Sequence, residues 1–208
     1  PRQAPGCVRP TAAVRSLLVV IRLDAATVLL QWAVGGLAFL WFTTRRREVG
    51  VGYGWLLRGT YLLIALAAAV VGRRFDTVAV REVSAVAVAV AAAVALAISF
   101  ARRRAGVGRA REEHDRRTAR VAAMTGIERE ARPRGAGREF DPRLDLLAPA
   151  VGVVGLVAGA LAAGGNPAVS LLRVFAGAAF LGAITDAMLL GHWYLVQPGL
   201  PRRLLNEL

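Results

Sequence analysis

The chain has 208 residues, 56% of them hydrophobic, with a mean hydropathy of +0.49 and a formal net charge of +13. The apolar residues gather into five blocks separated by arginine-rich joints, which excludes an ordinary soluble core and fits a polytopic membrane protein. The basic charge rests wholly on arginine, since the sequence has no lysine. Arginines flanking membrane spans explain it better than nucleic-acid binding does, so no nucleic acid is expected as a partner. One cysteine, Cys7, rules out an intrachain disulfide framework and a multi-cysteine metal site.

Residues 1–15 carry prolines and arginines and read as a poorly ordered lead-in. Residues 16–101 hold the first three spans. The stretch 16–23 is apolar but short, and Arg22 and Asp24 interrupt it before the first full span at 25–42; they are expected to form an interfacial pair, as are Arg81 and Glu82 ahead of the third span. Trp41 and Phe42, followed by Arg45, Arg46 and Arg47, close that span as an aromatic belt with a positive stop. The second span is expected from Trp55 to about Gly72, and the third over about 83–100. The third span is alanine-rich and only weakly hydrophobic, so it is expected to be wrapped by other helices.

Residues 102–145 form a polar loop with 13 arginines against 8 acids. Glu112/Arg116 and Glu113/Arg117 stand at i, i+4 with the acid first, the favourable helical order. Two short helices are expected there, broken near Gly126. Residues 146–208 form a hairpin of two spans, 146–163 and one beginning near 167–171, followed by a tail. The link Gly164-Gly165-Asn166-Pro167 is too short for anything but antiparallel neighbours. Ala148, Gly152, Gly155, Gly159 and Ala162 form a small-residue stripe that allows close helix contact.

The fold class is therefore an all-α, polytopic integral membrane bundle of about five transmembrane helices. Placing the joints after spans one and three on the same side as the C-terminus, with Arg58 in the first turn of the second span counted among the flanks, gathers 19 of the 27 arginines there. The positive-inside rule then puts the N-terminus outside and the C-terminus in the cytoplasm, with a cell membrane as the location.

The last hydrophobic run, 174–196, looks like the organising element, because Asp186 sits among some twenty apolar residues. An intramembrane carboxyl group is costly, and it implies either a proton or substrate role or a polar lock between helices. Thr185, Tyr61, Thr60 and Gln31 are the other intramembrane polar candidates. Counting 1.5 Å per residue from each end places Thr60 and Tyr61 at nearly the depth of Asp186, so contact with the second helix is expected. His192 offers one imidazole to a heme or quinone, beside Trp193 and Tyr194, though an aromatic girdle accounts for all three. No cofactor is predicted on this basis. Arg45, Arg46 and Arg47 before Gly50, Gly52 and Gly54 form an anion-receptive run that would suit a lipid phosphate.

No catalytic motif is present, and the reading favours a non-enzyme. The first functional expectation is a non-catalytic accessory or structural subunit of a membrane assembly. The alternatives are a small proton-coupled transporter using Asp186 and a quinone- or heme-binding redox protein using His192. Expected partners are anionic lipids at the cytoplasmic face, other membrane proteins, or a second copy of the chain.

Overall fold

A computed structural model describes residues 24–45, 49, 51–102, 108–126 and 140–196. Five helices in it are long and apolar enough to span a membrane, and no strand occurs among the described residues. Helical bonding within each segment is what lipid demands, since hydrocarbon offers no partner for a free backbone group. The chain is a multi-pass helical membrane protein.

Helix α1 runs Ala25–Thr44. Its N-cap is Asp24, whose carboxylate accepts from the amides of Ala26 at 3.2 Å and Thr27 at 3.1 Å. This satisfies two of the first-turn donors that a helix leaves unpaired. Helix α2 runs Val51–Phe75 and α3 runs Ala79–Ala101. Helix α4, Gly108–Thr125, ends at Gly126 with φ 68°, a left-handed stop that glycine adopts without steric penalty. A second short helix expected beyond Gly126 lies outside the described residues. A 3-10 turn, Pro142–Leu146, leads into α5, Leu147–Ala162. Gly164 and Gly165, at φ 77° and 76°, turn the chain into α6, Pro167–Val196. Asn166 caps α6 by accepting from the amides of Ala168 and Val169, with Pro167 in the first turn.

The packing differs from expectation in which helix is central. It is α1, not α6: 56% of the α1 span is buried inside the bundle, against 22% of the α6 span. Around α1 the neighbours run α2, α3, α5, α6, each packed on the next. Helices α6 and α2 share little backbone contact, and side chains close that seam. The third span is not wrapped either. Helix α3 turns Ala85, Val88, Ala89, Ala92 and Ala95 inward and leaves Val83, Val86, Val90 and Val94 exposed. Small residues mark the inner face because lipid tails are as apolar as valine, so contact is decided by close approach.

Glycines set three of those approaches. A Cβ on Gly35 of α1 would collide with the Ala178 carbonyl of α6, and one on Gly182 would collide with the Gly35–Gly36 backbone. On α5, Gly155 lets Ser84 of α3 in, where its hydroxyl donates to the Val151 carbonyl at 2.9 Å and accepts from the Gly155 amide at 3.1 Å. Gly152 faces Val34 and Val88, and Gly159 faces Thr27. The expected stripe on α5 is thus the buried one as far as Gly159, while Ala162 is exposed.

Helices α2 and α5 also begin differently from expectation. Helix α2 starts at Val51, so Gly52 and Gly54 lie in its first turn and not in a loop. One face of the bundle collects the start of α1, the end of α2, the start of α3, the end of α5 and the start of α6. This is the first face below, and the opposite end is the second.

Candidate functional site

Three polar clusters lie inside the bundle. The first is at the α2–α6 seam. Asp186 is fully buried, and the Tyr61 hydroxyl donates to its Oδ1. Tyr61 reaches it because Gly36 of α1 has no side chain; a Cβ there would fall within the phenol ring. More than two turns earlier on α2, the Tyr53 hydroxyl approaches the Asp186 carbonyl oxygen at 3.4 Å. Trp193 packs edge-on to Tyr53 with ring centroids 5.9 Å apart. Asp186 Oδ2 has no hydrogen-bond partner among the described residues.

Helix-depth counting paired Asp186 with α2, and Tyr61 is the residue that meets it. Thr60 does not: its hydroxyl turns back to the Leu56 carbonyl at 2.9 Å. Thr185 accepts from the Trp32 indole at 2.9 Å and donates to the Leu181 carbonyl at 2.7 Å, which ties α6 to α1. Gln31 lies away from this seam, toward the first face.

A contact of this kind, between neutral-capable polar groups in a bundle, contributes about 0.6 kcal/mol on average. Asp186→Asn keeps an oxygen for the Tyr61 hydroxyl and is expected to unfold within experimental scatter of the parent. Asp186→Leu is expected to lose about 1 kcal/mol or less in denaturant titration of the purified protein. A loss several times larger would contradict a packing role for this carboxyl group.

The second cluster was not anticipated. Arg58, counted from the sequence as a flanking arginine, is 3% exposed two turns inside α2. Its Nε donates to Asp145 Oδ1 at 2.7 Å and its second terminal nitrogen to Oδ2 at 2.6 Å, a bidentate pair. Ser99 of α3 accepts from the remaining terminal nitrogen at 3.3 Å and from the Trp55 indole at 3.1 Å. The Phe140 ring covers the guanidinium at 4.3 Å. Gly54 leaves the space in which the guanidinium lies. Only the acid-base complement of Arg58 and Asp145, 87 residues apart, could have signalled this pair.

The third cluster is at the first face. Arg81 of α3, 2% exposed, donates from one terminal nitrogen to Asp24 Oδ2 and to Thr27 Oγ1, the latter at 3.1 Å. The other terminal nitrogen donates to the Asp76 carbonyl and to Glu82 Oε1, at 3.2 Å for Glu82. Glu82 in turn accepts from the Val78 amide at 2.8 Å. The sequence paired Arg81 with Glu82 and Arg22 with Asp24; Asp24 instead meets Arg81, and Arg22 lies outside the described residues.

The remaining candidates are scattered. His192 is exposed on the last turn of α6, while Trp193 and Tyr194 are half-buried. No group of three metal-binding side chains occurs among the described residues. Of the anion-receptive run, Arg46, Arg47 and Gly50 lie outside the described residues. The Arg45 guanidinium lies over Phe42 at 4.0 Å, Gly52 packs against Trp193 and Gly54 against Arg58. The two described glycines therefore serve helix packing.

The fold and these clusters define a small polytopic helical membrane protein with internal polar locks. No protein-family model matches the chain, and neither the curated proteins nor the solved structures include a match to it.

Proposed function

We propose that the chain is a non-catalytic membrane subunit, a rigid helical member of a larger assembly in the cell membrane. The observation that carries this reading is the outer face of α6. Ala176, Ala179 and Ala187 are exposed there and Ala183 and Gly191 are half-buried, among the exposed Phe180, Ile184 and Met188. Small residues four apart, with bulky apolar neighbours, are the pattern by which one membrane helix approaches another. The arginine distribution supports a cytoplasmic second face, where anionic lipid would gather.

The test uses single cysteines in a Cys7→Ser background, in native membranes. Each cysteine is alkylated with benzophenone maleimide and irradiated, so that the ketone inserts into a C–H bond of whatever helix lies against it; Ala187→Cys is expected to give a cross-linked, slower-migrating species, and Val90→Cys on the exposed face of α3 is not. In the same background Thr118→Cys is expected to react with an impermeant maleimide only after the membrane is opened. If Ala187→Cys stays uncross-linked, or Val90→Cys cross-links equally, α6 has no preferred partner and the subunit reading fails.

A further inference from the structure

Of the chain's six aspartates, five have an evident place for their charge. Asp76, Asp115 and Asp141 are exposed. Asp24 caps α1 and meets Arg81, and the buried Asp145 meets Arg58 in a bidentate pair. Asp186 is the sixth, and it is fully buried. Its Oδ1 accepts from the Tyr61 hydroxyl, and its Oδ2 has no hydrogen-bond partner among the described residues.

No positive charge among the described residues pairs with it. Helices α1 and α5, which pack on α6, contain no ionisable side chain at all. On α2 the ionisable groups are Tyr53, Arg58, Tyr61 and, at the first face, Arg73 and Arg74. The Arg58 guanidinium is committed to Asp145 and Ser99 through all three of its nitrogens. Arg81 and Glu82 of α3 meet each other at the first face. On α6 itself, Arg173 lies about 20 Å from Asp186 along the axis, and His192 and Tyr194 lie about 9 and about 12 Å the other way. His192 is exposed, on the last turn.

An ionised carboxylate without a partner in an apolar interior costs far more than a neutral polar group, and such a group takes up a proton instead. We propose that Asp186 is a proton-binding site, whose side chain near neutral pH is the carboxylic acid, with Oδ1 the carbonyl oxygen that accepts from Tyr61 and Oδ2 the hydroxyl. One proton is exchanged with water, and no other bond forms or breaks. The position of the site gives that proton a consequence. Asp186 and Tyr61 join α6 to α2 at the seam where backbone contact is sparse. Losing the proton would strand a buried anion there, so proton release loosens α6 from α2 and proton uptake closes the seam. The inference is independent of the subunit reading, which rests on the outer face of α6.

Infrared spectroscopy of the full chain in lipid vesicles near neutral pH tests it, with every aspartate carrying carbon-13 in its side-chain carboxyl group. The exposed and ion-paired aspartates contribute carboxylate bands. One isotope-shifted carbonyl stretch of a protonated carboxyl group is expected besides, and it is expected to vanish in Asp186→Asn. Tyr61→Phe removes the donor to Oδ1 and is expected to move that stretch to higher frequency, which identifies the group even if Asp186→Asn fails to fold. Carboxylate bands alone in the parent, a protonated band that survives Asp186→Asn, or a band that Tyr61→Phe leaves unshifted overturns the inference. Thermal unfolding in detergent reads the seam. As pH rises, the midpoint of the parent is expected to fall further than that of Asp186→Asn, because only the parent acquires the buried anion. Equal falls would show that the proton does not hold the seam closed.

Discussion

Arg58→Leu is expected to destabilise the bundle by about 3–5 kcal/mol. The reason lies in what is left behind. Asp145 is 2% exposed, and in the parent its two carboxylate oxygens face two guanidinium nitrogens at 2.7 and 2.6 Å. Without Arg58 the carboxylate keeps, among the described residues, only a 3.4 Å approach from the Thr44 hydroxyl, far too little to offset its desolvation. Arg58→Lys is not a conservative rescue, because an ammonium group cannot form the paired contact and reach Ser99 together. The double variant Arg58→Leu/Asp145→Leu removes both charges and is expected to recover most of the loss, as buried ion pairs are often replaceable by apolar residues. Denaturant unfolding of the two singles and the double decides the matter. A single variant that melts with the parent, or a double no better than the worse single, would show that the pair does not hold α2 to the start of α5.

The same pair shows where sequence reasoning reached its limit. The five spans were legible because twenty apolar residues between arginines have few alternative readings. The positive-inside rule, however, treats every arginine near a span end as a flank, and so Arg58 was counted with the interface. The Gly50–Gly54 stretch compounded this, since glycines read as a loop by water-based propensity. In lipid the backbone must bond to itself, and the helix runs on from Val51 through Gly52 and Gly54. Asp186 and Tyr61 were legible for the opposite reason. A carboxyl group in an apolar run is conspicuous, and helix rise alone gives its depth. What depth could not supply was rotation: Thr60 and Tyr61 are about 100° apart on α2, and only the ring of Tyr61 fits against Gly36. Which helix sits at the centre was also hidden. Helices α1 and α6 are both apolar around their full circumference, so no contrast between faces points inward, and the glycine pair Gly35-Gly36 was the one available signal.

Gly182→Val is expected to lower stability by about 3 kcal/mol or more, or to prevent accumulation of folded protein. The crossing of α1 and α6 is made by backbone against backbone. An added Cβ at Gly182 would lie 2.8 Å from the Gly36 nitrogen and closer still to the Gly35 carbonyl group. A flexible side chain could swing away, but two main chains already bonded within their own helices cannot. The helices must separate, and with them go the neighbouring contacts of α6: the Trp32–Thr185 bond and the Asp186–Tyr61 bond on the next turn. Gly59→Ala on α2 is the control, because a Cβ there meets nothing within 4 Å. It is expected to leave stability unchanged or slightly raised, as alanine is the better helix former. Equal unfolding midpoints for Gly182→Val and Gly59→Ala would mean that α1 and α6 are not packed this closely. If instead the crossing is correct, Tyr61→Phe has a measurable cost in the parent and none in Gly182→Val, because the hydrogen bond it removes is already broken there.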